Sequence, residues 1–391
     1  MVPVASLFNQ LLKHFPRTEF AALVRKHGAE RGAKGFTCWT QFVAMLFCHL
    51  SHSASLRDIC NGLSCCLGKL VHLGITRTPN KSTLSYANQK RPASLFEDLF
   101  WTTLDRFRSA QLLGARSHRF QFKNKLLSLD STTVSLCLSL FPWAKFKTVK
   151  GGIKTHVLLD HDDYLPRYVL ITHAKQPDVK VAHSLSLNAG SIVVMDLGYI
   201  DYKLFAKWTA AGIFFVTRLR GDLNWTLDEH RSVPRNRLVL EDQIIRFDSK
   251  WGRLYCPGQR FRRIVVERQG EEPLVLLTNH LDFGATTIAN IYKDRWQIEV
   301  FFKALKQNLK IKTFVGTNPN AIYIQIWTAF IAMLLLKWLH YLSKAKWSLS
   351  NLASMLRLNL FTYRDLYAWL DQPFSTPPID PQPHQFDLAF T

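Results

Sequence analysis

Two short, mostly apolar runs that each end in an aspartate constrain the fold of this chain most strongly. The run 126–129 is followed by Asp130, and the run 192–195 is followed by Asp196. Both runs are typical of buried strands. Side chains at strand ends are the ones that an α/β sheet presents to its ligands. The two aspartates are therefore expected at one functional site.

The stretches around these runs predict a mixed α/β sheet. A hairpin is expected from residues 153–159 and 168–172, joined by a turn at Asp162 and Asp163. Further along are predicted a helix over 179–187, a helix capped by Asp201 that runs through Trp208, and strands over 192–196 and 213–216. Strands that first form hairpins and then alternate with helices are typical of a mixed sheet.

A β-rich insertion is predicted from about residue 218 to residue 272. Its short alternating segments are separated by turn residues, and no helical pattern interrupts them. The run 274–277 then returns to the main sheet.

The stretch from Tyr292 to Lys306 predicts a helix with one chemically rich face. Tyr292, Arg295, Glu299 and Lys306 fall within a sector of roughly 60° at 100° per residue. A carboxylate flanked by cations suits a site that holds both a metal and a phosphate. The alternative is a solvated helix with pairs of opposite charge.

Three carboxylates, Asp130, Asp196 and Glu299, can supply the hard oxygen ligands that two Mg²⁺ ions need. Each aspartate alone could instead be a strand-end cap. The net charge of +21 favours the metal site, because it points to a polyanionic partner such as nucleic acid. A basic housekeeping or membrane-surface protein is the alternative explanation of that charge.

Residues 1 to about 50 read as helices. A helix is expected to begin at Leu56 behind a Ser55 cap and to end near Gly68, and another starts around residues 80–88. This layout is that of a helix-turn-helix, although an ordinary pair of packed helices would look the same. A basic bridge follows from Lys90 to Lys125.

Other segments argue against several classes of protein. The cysteines show no paired CxxC spacing, so a zinc site is not expected and free thiols in a reducing compartment are. The N-terminus does not support a signal peptide. The apolar stretch 321–342 is long enough to span a bilayer, but polar residues interrupt it, which favours a buried helix behind a sheet.

The chain from about residue 36 to residue 340 resembles the cut-and-paste bacterial insertion-sequence transposases with a DDE triad. Within these it is similar to the group with the signature Tyr-x2-Arg-x3-Glu-x6-Lys. The signature is matched at every spacing by Tyr292, Arg295, Glu299 and Lys306.

Three further motifs carry the resemblance. They are Leu129-Asp130-Ser131-Thr132 for the first catalytic strand, the basic hairpin Lys150-Gly-Gly-Ile-Lys154-Thr-His156, and Asp196-x-Gly198-Tyr199-x-Asp201 for the second aspartate. The family usually has Arg after that aspartate, whereas this chain has Leu197. The departure removes a possible phosphate contact but not a metal ligand.

The resemblance implies a fold and a set of roles. It implies a ribonuclease-H-like mixed sheet at 126–342 with a β-rich insertion, an all-α DNA-binding region at 1–125, and C-terminal helices with a Pro-rich tail at 343–391. Asp130, Asp196 and Glu299 would hold the metals, which would be Mg²⁺ with Mn²⁺ as a substitute. DNA phosphates would be held by Tyr292, Arg295 and Lys306, and with weaker support by Lys150 and Lys154. Trp225 or Trp251 in the insertion could fill the gap of a flipped base, but core packing is the favoured role.

The predicted function is that of a cytoplasmic, nucleoid-associated DNA transposase that binds terminal inverted repeats, cleaves them and transfers strands. The alternatives are a ribonuclease-H-like nuclease without joining activity and a domesticated DNA-binding protein. A homodimer is expected on DNA but not in free solution. The apolar residues of 343–370 could form its interface, or they could pack on their own core.

Overall fold

A computed structural model describes residues 5–66, 70–113, 120–137, 150–235, 238–309, 311 and 313–377. The chain divides into two compact units. The helical unit combines Met1–Gly114 with Lys303–Thr391, and the sheet unit is Ala115–Phe302.

The helices and strands follow the predicted pattern with several changes of bounds. The described helices are α1 (Leu7–Leu12), α2 (Arg17–Lys26), α3 (Cys38–Ser51), α4 (Leu56–Ser64), α5 (Lys81–Lys90), α6 (Ser94–Ser109), α7 (Asp178–Ser184), α8 (Tyr202–Ala210), α9 (Lys250–Tyr255), α10 (Ala285–Asp294), α11 (Trp296–Asn308), α12 (Pro319–Leu342), α13 (Leu349–Asn359) and α14 (Leu366–Asp371). The described strands are β1 (Leu126–Cys137), β2 (Lys150–Asp160), β3 (Pro166–His173), β4 (Ile192–Met195), β5 (Phe214–Arg218), β6 (Trp225–His230), β7 (Val239–Phe247), β8 (Phe261–Val266) and β9 (Leu274–Thr278).

All nine described strands belong to one sheet, in the order β3-β2-β1-β4-β5-β9-β8-β7-β6. The predicted hairpin is confirmed as the antiparallel pair β2–β3, and β4 lies parallel to both β1 and β5. The predicted mixed sheet is therefore confirmed. The insertion extends this same sheet through β9, and it contains one helix, α9, which the sequence did not predict.

Alternation along β1 and β4 buries both faces of the sheet. Leu127 and Val193 pack on one face in a cluster that includes α8 residues, whereas Leu126 and Val194 pack on the other with α10 residues. Because side chains alternate along a strand, the even-numbered positions of β4 and of the part of β1 that pairs with it point to the α10 face.

The helical unit is built around α12. This helix packs against α3, α5, α6 and α13, and 89% of its most apolar window is buried. Among the described residues it is the one helix long and apolar enough to cross a membrane. Its predicted burial is confirmed, but its neighbours are helices rather than a sheet. A buried hydrogen bond joins His49 of α3 to Thr328 of α12 at 3.0 Å.

The helix predicted from the Ser55 cap is confirmed as α4, although it ends at Ser64, and Gly68 lies outside the described residues. The predicted basic bridge from Lys90 to Lys125 contains α6. The predicted helical pair within 343–370 is confirmed as α13 and α14. Five of its six predicted interface residues are buried in the helical unit: Leu352, Leu356, Leu360, Leu366 and Trp369. Those five residues pack in the core of the helical unit, whereas Leu358 and Tyr367 of the same two helices are 76% and 53% exposed. Of the tail, residues 378–391 lie outside the described residues.

Candidate active site

The two predicted aspartates lie at the point where two parallel strands part. The pairing of β1 with β4 ends at Leu129 and Met195, and Asp130 and Asp196 are the next residues on each strand. Asp196 ends its strand as predicted, whereas Asp130 lies within β1, because the strand continues to Cys137 against β2 alone. By alternation both carboxylates point to the α10 face of the sheet.

The predicted helix 292–306 is interrupted by one tight turn at Arg295. The amide of Arg295 donates to the carbonyl of Tyr292 at 3.1 Å, and the amide of Ile298 donates to the carbonyl of Arg295 at 3.1 Å. Both are bonds between residues three apart, which close a tighter turn than an α-helix. The prediction of one helix was therefore wrong, since α10 begins at Ala285 and α11 follows this turn.

Arg295 lies between two of the three predicted carboxylates. One guanidinium nitrogen lies 2.8 Å from Glu299 Oε1, and another lies 4.0 Å from Asp130 Oδ2. The side chain of Arg295 is 15% exposed, so water screens the interactions between these charges only partly. The structure thus brings Asp130, Arg295 and Glu299 together, as the sequence predicted.

Electrostatics link Asp196 to the same group. The pKa of the Asp130 carboxyl is raised to about 7, first by burial and then by the negative charges of Asp196 and Glu299. The amide of Ser131, which donates to Asp130 at 2.7 Å, and the charge of Arg295 act in the opposite direction. A carboxylate with a raised pKa beside two others marks a place that is short of positive charge.

The donor chemistry fits a divalent cation, because the three carboxylates offer hard oxygen ligands. Among the described residues, however, no three such side chains are gathered closely enough to hold a metal ion. The Arg295 guanidinium donates a hydrogen bond to Glu299 Oε1, an oxygen that a metal would otherwise coordinate. Glu299 would have to exchange this partner in order to act as a ligand.

Two further groups line this face. Tyr292 is buried, with the Arg295 guanidinium 5.5 Å from the centre of its ring. Its phenol pKa is raised by burial, while Arg295 and Arg218 act to lower it. Arg218 was missed as a site residue. The position of Arg218 at the end of β5 could have indicated it, because the parallel register of β5 with β4 aligns Arg218 with Asp196.

The three predicted lysines differ in their surroundings. Lys154 lies 3.2 Å from Asp178 and also donates to the carbonyl of Gln176, so it is already engaged. The side chain of Lys150 lies outside the described residues, although its backbone begins β2. Lys306 lies on α11 beyond Glu299, in the part of the helix that belongs to the helical unit.

Asp178 is a fourth carboxylate that the sequence analysis missed. Burial acts to raise the pKa of the Asp178 carboxyl. Hydrogen bonds from His156 and Ser131 and the charge of Lys154 nevertheless hold this pKa at about 2. Asp178 therefore carries a firm negative charge in the structure. Lys154 and His156 are two residues apart on β2, which places both side chains on one face of the strand. That spacing could have indicated a carboxylate partner such as Asp178.

A buried chain of hydrogen bonds ties the aspartate strand to the turn at Arg295. Ser128 Oγ lies 2.7 Å from His161 Nε2, and His161 Nδ1 lies 2.7 Å from Asp294 Oδ2. The Tyr164 hydroxyl donates to the same Asp294 oxygen at 3.2 Å. Ser128 precedes Asp130 by two residues and Asp294 precedes Arg295 by one. These hydrogen bonds therefore fix the spacing between strand β1 and the turn at Arg295.

Replacing His161 with glutamine is expected to lower the rate of DNA cleavage by about tenfold or more while DNA binding is kept. One of the two partners would be left unsatisfied, which costs about 1–3 kcal/mol and loosens the turn. Cleavage rates and melting temperatures of the variant test this. The matched control is His230→Gln at an exposed position of β6. An unchanged rate with a lowered melting temperature would limit the chain of bonds to a structural role.

The two tryptophans of the insertion are not equivalent. Trp225 is half-buried against the core, with the Arg263 guanidinium 5.2 Å from the centre of its ring. Trp251 on α9 is 53% exposed, so the favoured core role is wrong for this residue. Its ring lies 6.0 Å from that of Tyr255 in a stacked arrangement.

Comparison with protein-family models identifies two matches. Residues 121–335 match a model described as a transposase DDE domain, and residues 4–76 match a domain of unknown function, DUF4372. The first match includes Asp130, Asp196 and Glu299.

Several proteins are similar to this chain. A Sinorhizobium fredii protein named as a transposase, y4zB, is 31% identical, with 80% of this chain and 87% of that protein covered. A Geobacillus stearothermophilus protein named as a transposase for an insertion sequence element is 31% identical over 59% of this chain and 60% of its own length. The solved synaptic complex of piggyBac transposase with hairpin DNA has 11% identity and a TM-score of 0.46, covering 90% of this chain and 80% of that one.

Proposed function

Because this chain belongs to the family of transposases with a DDE domain, it is a DNA transposase, and we propose that it cleaves the ends of an insertion sequence and joins them to new DNA. One observation carries the proposal. Asp130 and Asp196 follow paired positions of two parallel strands and share the sheet face that α10 covers, and Arg295, in the turn after α10, lies between Asp130 and Glu299 of α11.

Asp130, Asp196 and Glu299 are the residues that would hold the metals, which we take to be two Mg²⁺ ions with Mn²⁺ as a substitute. Bound there, such ions supply an activated water or 3′-hydroxyl and stabilise the leaving oxygen. Two hydrogen bonds that involve the backbone fix the position of Asp196. Its carboxylate accepts from the amide of Gly198 at 2.9 Å, and its carbonyl accepts from the Thr217 hydroxyl at 3.0 Å.

The phosphates of the end would be held by cations and by a phenol around the carboxylates. Arg295 suits bidentate contact with a phosphate once Glu299 exchanges it for a metal. Tyr292 can donate a hydrogen bond, and Arg218 adds a second guanidinium at the same edge of the sheet. Lys306 and Lys150 are further candidates, whereas Lys154 would first have to leave Asp178.

The core of the sheet unit is proposed to be ribonuclease-H-like. Its support is the strand order β3-β2-β1-β4-β5, in which three antiparallel strands precede two parallel ones. Membership of the group with the Tyr-Arg-Glu-Lys signature rests on the spacing of Tyr292, Arg295, Glu299 and Lys306. The site of action would be the bacterial cytoplasm, at the nucleoid.

Joining of DNA is the test that separates the proposed function from its alternatives. Purified full-length protein would be incubated with Mg²⁺, a duplex that carries the element's end and a supercoiled plasmid. The end sequence can be read from inverted repeats that flank the gene. End DNA covalently joined to the plasmid is expected. Cleavage without joined product would indicate a nuclease, and binding without cleavage would indicate a domesticated DNA-binding protein.

Assembly follows from the reaction, because two ends must be brought together and each needs an active site. The net charge of +21 opposes association of free chains, and DNA neutralises it. We expect a monomer without DNA and a dimer on paired ends. Light scattering with and without end DNA measures both. A stable dimer without DNA, or a single chain on paired ends, would refute this expectation.

A further inference from the structure

The helical unit contains a cleft of about 420 Å³ with a basic lining. One wall is the glycine loop, residues 28–36, and the other is a face of α5. Lining cations are Arg31 and Lys34 on the loop, Lys90 on α5, and Arg91 just beyond it. Among the described residues that line the cleft none is acidic, and Glu30 of the glycine loop instead accepts a hydrogen bond from the amide of Cys38.

The cations at the rim are available to a ligand. Arg31, Lys34 and Lys90 are all exposed. In the described part of the chain, none of the three forms a salt bridge. By contrast, the neighbouring Lys26 is engaged by Asp98 at 2.6 Å. Three unpaired cations around one concavity attract an anion with several charges.

One face of α5 presents a hydrogen-bonding and aromatic surface beside these cations. Thr83, Tyr86 and Lys90 are three and four residues apart, which places them on one side of the helix. Tyr86 is 65% exposed, which is unusual for so large an apolar ring. A face of this kind suits a nucleic-acid groove, with the lysine toward the backbone.

Buried polar contacts hold both walls in place. Gln41 on α3 donates to Asn88 of α5 at 2.8 Å, which fixes the orientation of that helix. Arg91 donates to Gln41 at 3.2 Å and to the carbonyl of Phe36 at the end of the glycine loop. The cleft is therefore a built feature of the helical unit and not a gap between loose segments.

No neighbouring atoms cover the backbone at the three glycines of the glycine loop. Gly28, Gly32 and Gly35 have φ values of 57°, 73° and 79°, in the left-handed region that favours glycine. A Cβ at any of the three would meet nothing within 4 Å. Packing does not require glycine at these positions, so a phosphate can approach the loop closely.

We infer that this cleft grips the phosphate backbone of duplex DNA at the element's end. Arg31, Lys34 and Lys90 contact successive phosphates, while Thr83 and Tyr86 turn the α5 face toward the groove. The inference rests on the proposed function, because it names the surface by which the helical region would bind the end. The glycine loop would thus contact DNA phosphates in addition to the face of α5.

The salt dependence of binding tests the inference in the full-length chain. The variant Arg31→Gln, Lys34→Gln, Lys90→Gln is compared with a control that removes three exposed positive charges elsewhere: Lys13→Gln, Lys175→Gln, Lys346→Gln. Fluorescence anisotropy with labelled end duplex gives log Kd against log salt. The cleft variant is expected to lose about 2–3 from the slope, roughly one per phosphate contact. The control is expected to lose less than about 1.

A second pair of variants isolates charge from shape. Asn and Asp both tolerate the left-handed conformation, so Gly32→Asn and Gly32→Asp differ only in charge. Gly32→Asp is expected to weaken end binding by about fivefold relative to Gly32→Asn, from one added repulsive contact. Melting temperatures of all variants show whether each has folded.

The outcomes separate the inference from the function on which it rests. An unchanged slope in the cleft variant, together with equal binding by the two Gly32 variants, would overturn the inference while wild-type binding and joining uphold the function. A wild-type chain that neither binds nor joins end DNA would overturn both.

Discussion

Replacing Asp130, Asp196 or Glu299 singly with the isosteric amide is expected to abolish DNA cleavage, by about a thousandfold or more, and to leave binding of end DNA within about twofold. Loss of one metal ligand removes several kcal/mol of stabilisation of the transition state, and about 4 kcal/mol corresponds to a thousandfold. Binding survives because it depends on many phosphate contacts. Labelled end duplex with Mg²⁺ measures both quantities.

The control for these variants is Asp222→Asn. Asp222 is an exposed carboxylate that pairs with Arg220 at 2.5 Å, so the same chemical change is made outside the site. It should cleave at the wild-type rate. Substantial cleavage by the Asp130, Asp196 or Glu299 variant would remove that residue from the metal site.

Asp242→Asn is expected to lower the free energy of unfolding by about 3–5 kcal/mol. Asp242 of β7 and Arg262 of β8 form a pair with both side chains 3% exposed, through bonds of 2.8 and 2.6 Å. Arg262 also donates to the carbonyls of Leu281 and Phe283, just ahead of α10. Without its partner the guanidinium would remain buried as an uncompensated charge.

Urea unfolding followed by tryptophan fluorescence measures this loss. Asp222→Asn serves here as well, because water screens its exposed pair and the unfolding midpoint should stay unchanged. The double variant Asp242→Leu, Arg262→Met should be less destabilised than Asp242→Asn, since it leaves no buried charge. A loss below about 1 kcal/mol for Asp242→Asn would show that water or another group compensates Arg262.

The sequence predicted the strands that carry the site because their pattern is local. The apolar runs ahead of Asp130 and Asp196 are buried on both faces, and such runs are read directly from composition. The continuation of β1 to Cys137 was not predicted, because residues after Asp130 are mostly polar and pair only with β2. What makes them a strand is a partner about twenty residues away.

The turn at Arg295 could not be predicted for a related reason. Asp294 bonds His161 across 133 residues of sequence, and no periodicity within 292–306 records that contact. The engagement of Lys154 by Asp178 is equally non-local. The spacing therefore predicted candidate site residues but could not show which of their cations are already engaged.

Both ends of the chain are needed to complete the helical unit, and this has a consequence for biosynthesis. The helices α3, α5 and α6 emerge from the ribosome early, but α12, which packs against all three, begins only at Pro319. Translation of residues 110–318 takes roughly 10–40 s at about 5–20 residues per second. During that interval the apolar faces of the nascent N-terminal helices lack their central neighbour. The sheet unit, residues 115–302, is complete before α12 is made, so it can fold first, and the core of the helical unit closes only when α12 has followed.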